Sequence, residues 1–210
     1  MNIILIGPQG SGKGTQARIL CEKYNFFYFE SGAYLRRIAQ DHPDLKKWLA
    51  EGKLVPDLEM TSYLTAFLDA KNLYDDIISD GFPRTVVQYN FLKNWLSEKK
   101  VKIDLVVDLQ IKEEETIKRL SARRQDPETG EIYNLITDPP PKNIDKSKLV
   151  QRDDDKPESI QKRLSLYKER TEPLVNELKK ECRVVLVNGE RPIETIANEI
   201  DEIIREYKND

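Results

Sequence analysis

Apolar positions along this chain follow two rhythms. Short, nearly continuous runs stand at 2–6 (NIILI), 26–29 (FFYF), 76–80 (DIISD), 103–109 (IDLVVDL) and 183–188 (RVVLVN). Runs of that kind are typical of strands covered on both faces of a parallel sheet. Between them, apolar residues recur at helical spacing over about 13–24, 32–40, 57–71, 85–98, 112–124, 157–181 and 192–207. Strand–helix alternation predicts a doubly wound α/β sheet with right-handed crossovers. Two stretches break the rhythm. Residues 30–60 place several short helical segments between one strand and the next. Residues 125–156 lack helical periodicity and carry Asp-Pro, Thr-Gly and the triple proline 139–141, so they read as a small lobe or a functional lid.

Length and charge narrow the class. With 210 residues the chain holds one substantial core and room for inserted lobes. A net charge of −3 from 34% charged residues provides no global basic field for nucleic acid or an anionic membrane. No apolar run approaches the roughly 20 residues that span a bilayer. NIILI has no basic segment before it, so a cleaved signal peptide is not expected. Cys21 and Cys182 fall on predicted helices, as reduced thiols of a cytoplasmic protein would. His42 is the single histidine, which argues against a zinc site built on histidine or cysteine.

Candidate chemistry begins with GPQGSGKGTQ at 7–16, directly after the first strand. Gly7, Gly10, Gly12 and Gly14 let the backbone turn and offer successive N–H groups to an anion, and the helix that follows adds its positive end. Lys13 supplies a point charge for terminal phosphates, and Thr15 a hydroxyl near them or their metal. The general phosphate-loop pattern puts Ser or Thr directly after GK; here Gly14 intervenes. The plainer alternative is a glycine-rich turn with a surface lysine. DGFPRT at 80–85 ends another predicted strand. There Asp80 would hold Mg²⁺ through water and Arg84 a phosphate bidentately, or the pair would form a salt-bridged turn. Arg36, Arg119, Arg123, Arg152 and Arg163 are singly solvated charges by default. Yet Arg119 and Arg123 share a predicted helix face at one edge of the irregular segment, and Arg152 and Arg163 lie at its other edge. Cations at both hinges suit closure over polyphosphate.

GPQGSGKGTQ, SGAYLR (31–36), GKLVPD (52–57), DGFPRTVVQ (80–88), RLSARR (119–124), TGEIYN (129–134) and QRDDDKPESIQKRL (151–164) stand in the order and approximate spacing of adenylate kinases of the long-lid type. The resemblance covers almost the whole chain, and it accounts for Gly14, because that family writes its loop as GKGT. It implies a P-loop NTPase-type parallel five-stranded sheet flanked by helices, with inserted AMP-binding and lid subdomains. The core would comprise 1–29, 61–121 and 157–210, the AMP-binding subdomain 30–60, and the lid 122–156. It implies that Gly10, Ser11, Gly12, Lys13, Gly14 and Thr15 hold the ATP phosphates. Arg119 would lie against the ATP base, Ile132 and Tyr133 in the lid wall, and Arg191 would offer its backbone carbonyl to the adenine. The AMP site would be Ser31, Arg36, Lys53, Leu54, Val55, Gly81, Phe82, Pro83, Arg84 and Gln88, with Gln88 reading the adenine edge. Arg152 and Arg163 would reach the AMP phosphate, and with Lys13, Arg84 and Arg123 they would form the catalytic set around the transferring group.

Ser31 stands where the family usually has Thr, Ala33 where it has Asp, and Asn134 where it has His. Some relatives pin the lid with a zinc-bound cysteine quartet. This chain has no cysteine between 22 and 181, so a polar lid is implied, with Asp126 and Thr129 as one half and Asn143 and Asp145 as candidates for the other. The implied reaction is Mg²⁺-dependent transfer of the ATP γ-phosphoryl group to AMP, giving two ADP, by a cytoplasmic monomer. The acceptor is an ionised phosphate oxygen, so no general base is needed. Arg84→Ala or Arg123→Ala is expected to lower turnover with the fold intact. The rivals are a kinase for UMP, CMP or GMP, and a catalytically silent nucleotide-binding module.

Overall fold

The structure, a computed structural model, describes residues 1–51 and 53–209. Gly52 of the GKLVPD segment and the terminal Asp210 lie outside them. In chain order the first elements are β1 (Ile3–Ile6), α1 (Lys13–Tyr24), β2 (Phe27–Glu30), α2 (Ser31–Ile38), α3 (Pro43–Ala50) and α4 (Asp57–Lys71). Next come β3 (Ile77–Asp80), α5 (Val86–Glu98), β4 (Leu105–Gln110), α6 (Glu113–Ser121), β5 (Arg123–Gln125) and β6 (Ile132–Asn134). The last are α7 (Pro157–Leu166), α8 (Glu172–Glu181), β7 (Val184–Asn188) and α9 (Ile193–Asn209).

Five strands form one parallel sheet in the order β2-β3-β1-β4-β7, which is the predicted doubly wound architecture. Strand β1 sits centrally, with Ile3 opposite Ile78 on one side and Leu105 on the other. Its four residues alternate between two cores, which explains why the run is apolar throughout. Ile4 and Ile6 face a cluster with Leu64 of α4, Leu92 of α5 and Leu174 of α8. Ile3 and Leu5 face Ala17 and Leu20 of α1 and Ile200 of α9. Helix α9 presents Ile196, Ile200 and Ile204 at helical spacing to that second face. No described helix is long and apolar enough to cross a membrane.

Three predicted elements come out differently. The helix expected over 112–124 ends at Ser121, and Arg123–Gln125 becomes a strand paired antiparallel with β6. The hairpin turns at Gly130 (φ 77°), where a residue without Cβ is at ease, and its ladder outcompetes a last helical turn. Arg119 and Arg123 therefore do not share a helix face. The helix expected over 157–181 is two helices joined by one wide π-type turn, Tyr167–Thr171. Such turns redirect side chains within a helix, and here Thr171 donates its hydroxyl to the Arg84 carbonyl at 3.1 Å. The polar halves of the 125–156 lobe are local. Asp126 accepts from the Glu128 and Thr129 amides, and Asp145 from that of Ser147. Among the described residues no hydrogen bond joins Asp126 or Thr129 to Asn143 or Asp145. Backbone pairing of Gln125 with Val150, at 2.8 and 2.9 Å, closes the lobe instead.

Leu105 is fully buried where β4 meets β1, packed toward α1 and α9. Leu105→Ala is expected to lower unfolding free energy by about 3 kcal/mol, read as a shift in urea midpoint with the slope unchanged.

Candidate active site

Three parallel strands, β1, β3 and β4, end side by side and deliver Gly7, Asp80 and Gln110 to one edge of the sheet. Chain leaving β1 runs into α1 on one face, and chain leaving β3 runs into α5 on the other. A crevice opens at such a divergence, and ligands bind there. The loop from β1 is kept thin by close packing: a Cβ on Gly7 would stand 2.3 Å from the Leu109 carbonyl oxygen. Gly10 (φ 80°) and Gly12 (φ 98°) adopt the left-handed region, which turns successive amides the same way. Helix α1 begins at Lys13 with no side-chain cap and no acidic residue in its first turn. Its first N–H groups and positive dipole end are left for an anion.

Lys13 Nζ donates to the carbonyls of Gly7 and Pro8, both at 2.9 Å. Burial lowers its pKa to about 8, with Asp80 opposing the shift and Arg84, Arg163 and Arg123 adding to it. Asp80 is buried and accepts from the Tyr28 hydroxyl at 3.1 Å. Burial raises its pKa, and Lys13 is the main opposing charge. A Cβ at Gly14 would meet the Tyr28 hydroxyl at 3.1 Å and Asp80 Oδ2 at 3.7 Å. The residue inserted after GK thus carries no side chain to push away Tyr28 and Asp80, which stand close against the start of α1.

Two cavities meet at this edge. The larger, about 670 Å³, is lined by Gly10, Ser11, Gly12, Lys13, Gly14, Thr15, Asp80, Arg119, Arg123, Ile132, Tyr133, Arg152 and Arg191. The smaller, about 110 Å³, is lined by Ser31, Arg36, Lys53, Leu54, Val55, Gly81, Pro83, Arg84 and Gln88. Lys13, Arg36, Gly81, Arg84 and Arg163 border both, so the cations stand where the cavities join. Two predicted residues depart from this picture. The Phe82 side chain is buried in the apolar core, because the turn after β3 points it inward, and what it offers at the turn is a carbonyl that accepts from Ser79 at 2.6 Å. Arg152 lines only the larger cavity, drawn toward the lobe by Gln125, to whose side-chain oxygen it donates at 2.8 Å.

The remaining cations are braced. Arg123 makes a bidentate pair with the fully buried Asp155, at 2.7 and 2.5 Å. Arg163 contacts Asp154 at 3.0 Å and Asp155 at 3.6 Å. Arg36 pairs with Glu30 at 3.1 Å and Arg119 with Glu115 at 2.7 Å. Arg84 donates to the Gly81 carbonyl at 2.7 Å. Burial lowers the pKa of Arg84, and it lowers Arg152 and Arg163 to about 10, with neighbouring guanidinium groups contributing. The Arg191 side chain turns back to Glu199, which leaves its backbone at the cavity wall. Asn134 accepts from the Ile136 and Thr137 amides and donates to the Arg119 carbonyl at 2.9 Å.

Sequence reasoning missed the bracing acids. Asp154 and Asp155 lie in the DDD run, whose charges gave no sign of facing inward. Asp57, read only as a helix start, accepts from the Gln88 amide nitrogen at 2.8 Å and from Thr85 at 2.9 Å. Its signal was a Pro-Asp pair at a helix N-terminus, which capping explains equally well.

Strand order, loop and converging cations define a P-loop α/β protein whose cleft is built for phosphorylated ligands. A family model described as adenylate kinase matches residues 5–183. The chain is similar to an adenylate kinase of Methanothrix thermoacetophila, 37% identical over 216 residues, covering 99% of this chain and 100% of the relative. It is also similar to those of Pyrococcus furiosus (36% over 217 residues, 100% and 98% covered) and Archaeoglobus fulgidus (37% over 217, 100% of both). The chain belongs to the adenylate kinase family.

Two outcomes follow. With its pKa lowered by burial to about 8, Lys13 loses its charge as pH rises through that value, and a bound polyphosphate favours the charged form. Nucleoside triphosphate binding at pH 8.5 should therefore take up a proton and weaken as pH rises further. Calorimetry in buffers of different ionisation enthalpy should show the uptake, much smaller at pH 7 and absent in Lys13→Met. The second concerns Arg123→Ala, which leaves the buried Asp155 carboxylate with Arg163, at 3.6 Å, as its one ion-pair partner among the described residues. It should lose about 3 kcal/mol of stability, seen by chemical denaturation, so a fall in its turnover has to be read beside its stability.

Proposed function

We propose that the chain transfers the γ-phosphoryl group of Mg²⁺·ATP to AMP, giving two ADP, with ATP in the larger cavity and AMP in the smaller. The observation that carries this reading is the shared wall: Lys13, Arg84 and Arg163 border both cavities, as a site that joins two phosphate chains end to end requires. The loop amides and the α1 N-terminus hold the donor phosphates. Arg36 and Arg84 hold the acceptor phosphate, and Arg123, Arg152 and Arg163 offset the charge that spreads over the transferring oxygens. No proton need leave the acceptor, so alignment and charge neutralisation suffice.

The donor set fits magnesium. Asp80 and Thr15 both line the larger cavity and supply oxygen atoms there, and Mg²⁺ favours oxygen ligands, retained water and substrate phosphate over an all-protein cage. Among the described residues no three His, Cys, Asp or Glu stand together to hold a metal unaided. When bound, the ion would neutralise phosphate charge, and Asp80 would orient its water shell.

Residues 30–60 would act as the AMP-binding subdomain and 122–156 as the lid, moving against a core of 1–29, 61–121 and 157–210. Segment 30–60 lines mainly the smaller cavity and 122–156 mainly the larger, which supports that division. The free thiols of Cys21 and Cys182 support a reducing, cytoplasmic setting, and a single chain supplies every group the reaction needs.

The test is ADP formation from ATP and AMP with Mg²⁺ by purified protein, against UMP, CMP and GMP as acceptors. Arg152→Ala is the cleanest probe of the charge clamp, because Arg152 forms no ion pair among the described residues. Turnover should fall about 10³-fold with the melting temperature held within a few degrees.

A further inference from the structure

Gln88 is 2% exposed, and both ends of its amide are engaged. Its Oε1 accepts from the Arg84 backbone N–H at 2.7 Å, and its Nε2 donates to Asp57 Oδ1 at 2.8 Å. The two partners are of opposite kind. A backbone N–H can only donate, and an ionised carboxylate can only accept. Turning the amide over would set donor against donor at Arg84 and acceptor against carboxylate at Asp57. Asp57 is itself held: Thr85 donates to the same oxygen at 2.9 Å while its hydroxyl accepts from the Gln88 backbone N–H at 3.1 Å. Asp57 opens α4 directly after Pro56, which sets where its side chain starts.

A free glutamine amide reads either of two base edges, because its oxygen and nitrogen interchange by rotation. A 6-aminopurine presents a donor at N6 and an acceptor at N1, and a 6-oxopurine presents the reverse. We propose that Asp57 is the residue that sets acceptor selectivity, by locking the Gln88 amide in the one orientation that matches a 6-aminopurine. Asp57 is a positioning residue: it acts through Gln88 and needs no contact with the nucleotide. This deepens the assignment of AMP to the smaller cavity and rests on it.

Selectivity of this origin has a signature. Asp57→Ala removes the acceptor and lets the amide turn, while Asp57→Asn keeps an oxygen for Gln88 and Thr85. The measurement is kcat/KM for AMP and for inosine monophosphate, which differ only at positions 6 and 1 of the base, with ATP fixed. In Asp57→Ala the AMP-to-IMP ratio should fall about tenfold, the worth of one such hydrogen bond. The fall should come mostly through KM, with kcat for AMP changed severalfold at most. Asp57→Asn should restore most of the ratio. Asp57→Leu, of similar shape and without an acceptor, should repeat the alanine result if alanine impairs folding.

An equal loss toward both nucleotides, or an asparagine variant no better than alanine, would mean that Asp57 only supports the helix and would overturn the proposal. Wild-type protein without AMP-dependent ADP formation would instead overturn the assignment of the cavity. The unmutated control separates the two failures.

Discussion

Like charges forced together, with too little counter-charge, are the condition on which this cleft is organised. Lys13, Arg36, Arg84, Arg123, Arg152 and Arg163 line connected cavities, and the acids among them are already engaged. Asp155 is taken by Arg123, Glu30 by Arg36, and Asp154 by Arg163. Burial pushes the Asp154 carboxyl upward, yet the surrounding arginines hold it below its usual value. Lys13, Arg84, Arg152 and Arg163 are likewise held below their usual values, which in a cation weakens the charged form. An anion of several charges placed between them relieves the repulsion and the loss of hydration together. A phosphate chain is such an anion, and no side chain of the protein can substitute for it.

The sheet makes that crowding possible without unfolding the molecule. Lys13 and Arg36 are mounted on α1 and α2, which are anchored in the two main apolar cores, and Arg163 on α7, which packs through Ile160 and Leu164 against Leu120, so repulsion at the strand ends is offset by burial farther down. Two glycines bring the backbone close enough. Gly7 clears the Leu109 carbonyl, and Gly81 (φ 78°) would place a Cβ 2.6 Å from Ser31 Oγ and 2.9 Å from the Arg84 guanidinium. At both sites the chain comes in close beside a neighbouring group, and a side chain there would push the loops apart.

Much of this could be read from residue order, because period and punctuation are local. The α1 and α4 boundaries match the expected 13–24 and 57–71, since a glycine loop precedes one helix and Pro56 the other. What depended on distant partners could not be read. Arg123 left its helix because Asn134 pairs with it across a hairpin. Phe82 sat within a phosphate-binding motif, yet its ring was claimed by a core whose other members lie up to about a hundred residues away. The direction of Asp57 and of Asp155 is likewise a tertiary fact. A carboxylate in sequence carries no mark of whether it will meet water, a helix end or a guanidinium group.

The arginines divide into two kinds, and the division bears on catalysis. Arg123 and Arg163 are fixed by carboxylates, so their orientation is set in advance, but part of their field is already neutralised. Arg152 forms no ion pair among the described residues and donates to a neutral amide oxygen, so its field is offset only by the less direct Asp154 and Glu30, while its position depends on the lobe that carries Gln125. Preorganised dipoles stabilise charge with little reorganisation, which suits the braced pair to holding phosphate in both ground and transition states. A cation without a paired carboxylate, carried on the segment proposed as the lid, would add most of its charge only when that segment closes. In the proposed reaction, closure would then supply what the fixed groups cannot: charge that arrives with the second substrate, so that phosphoryl transfer to water is disfavoured while the acceptor site stands empty.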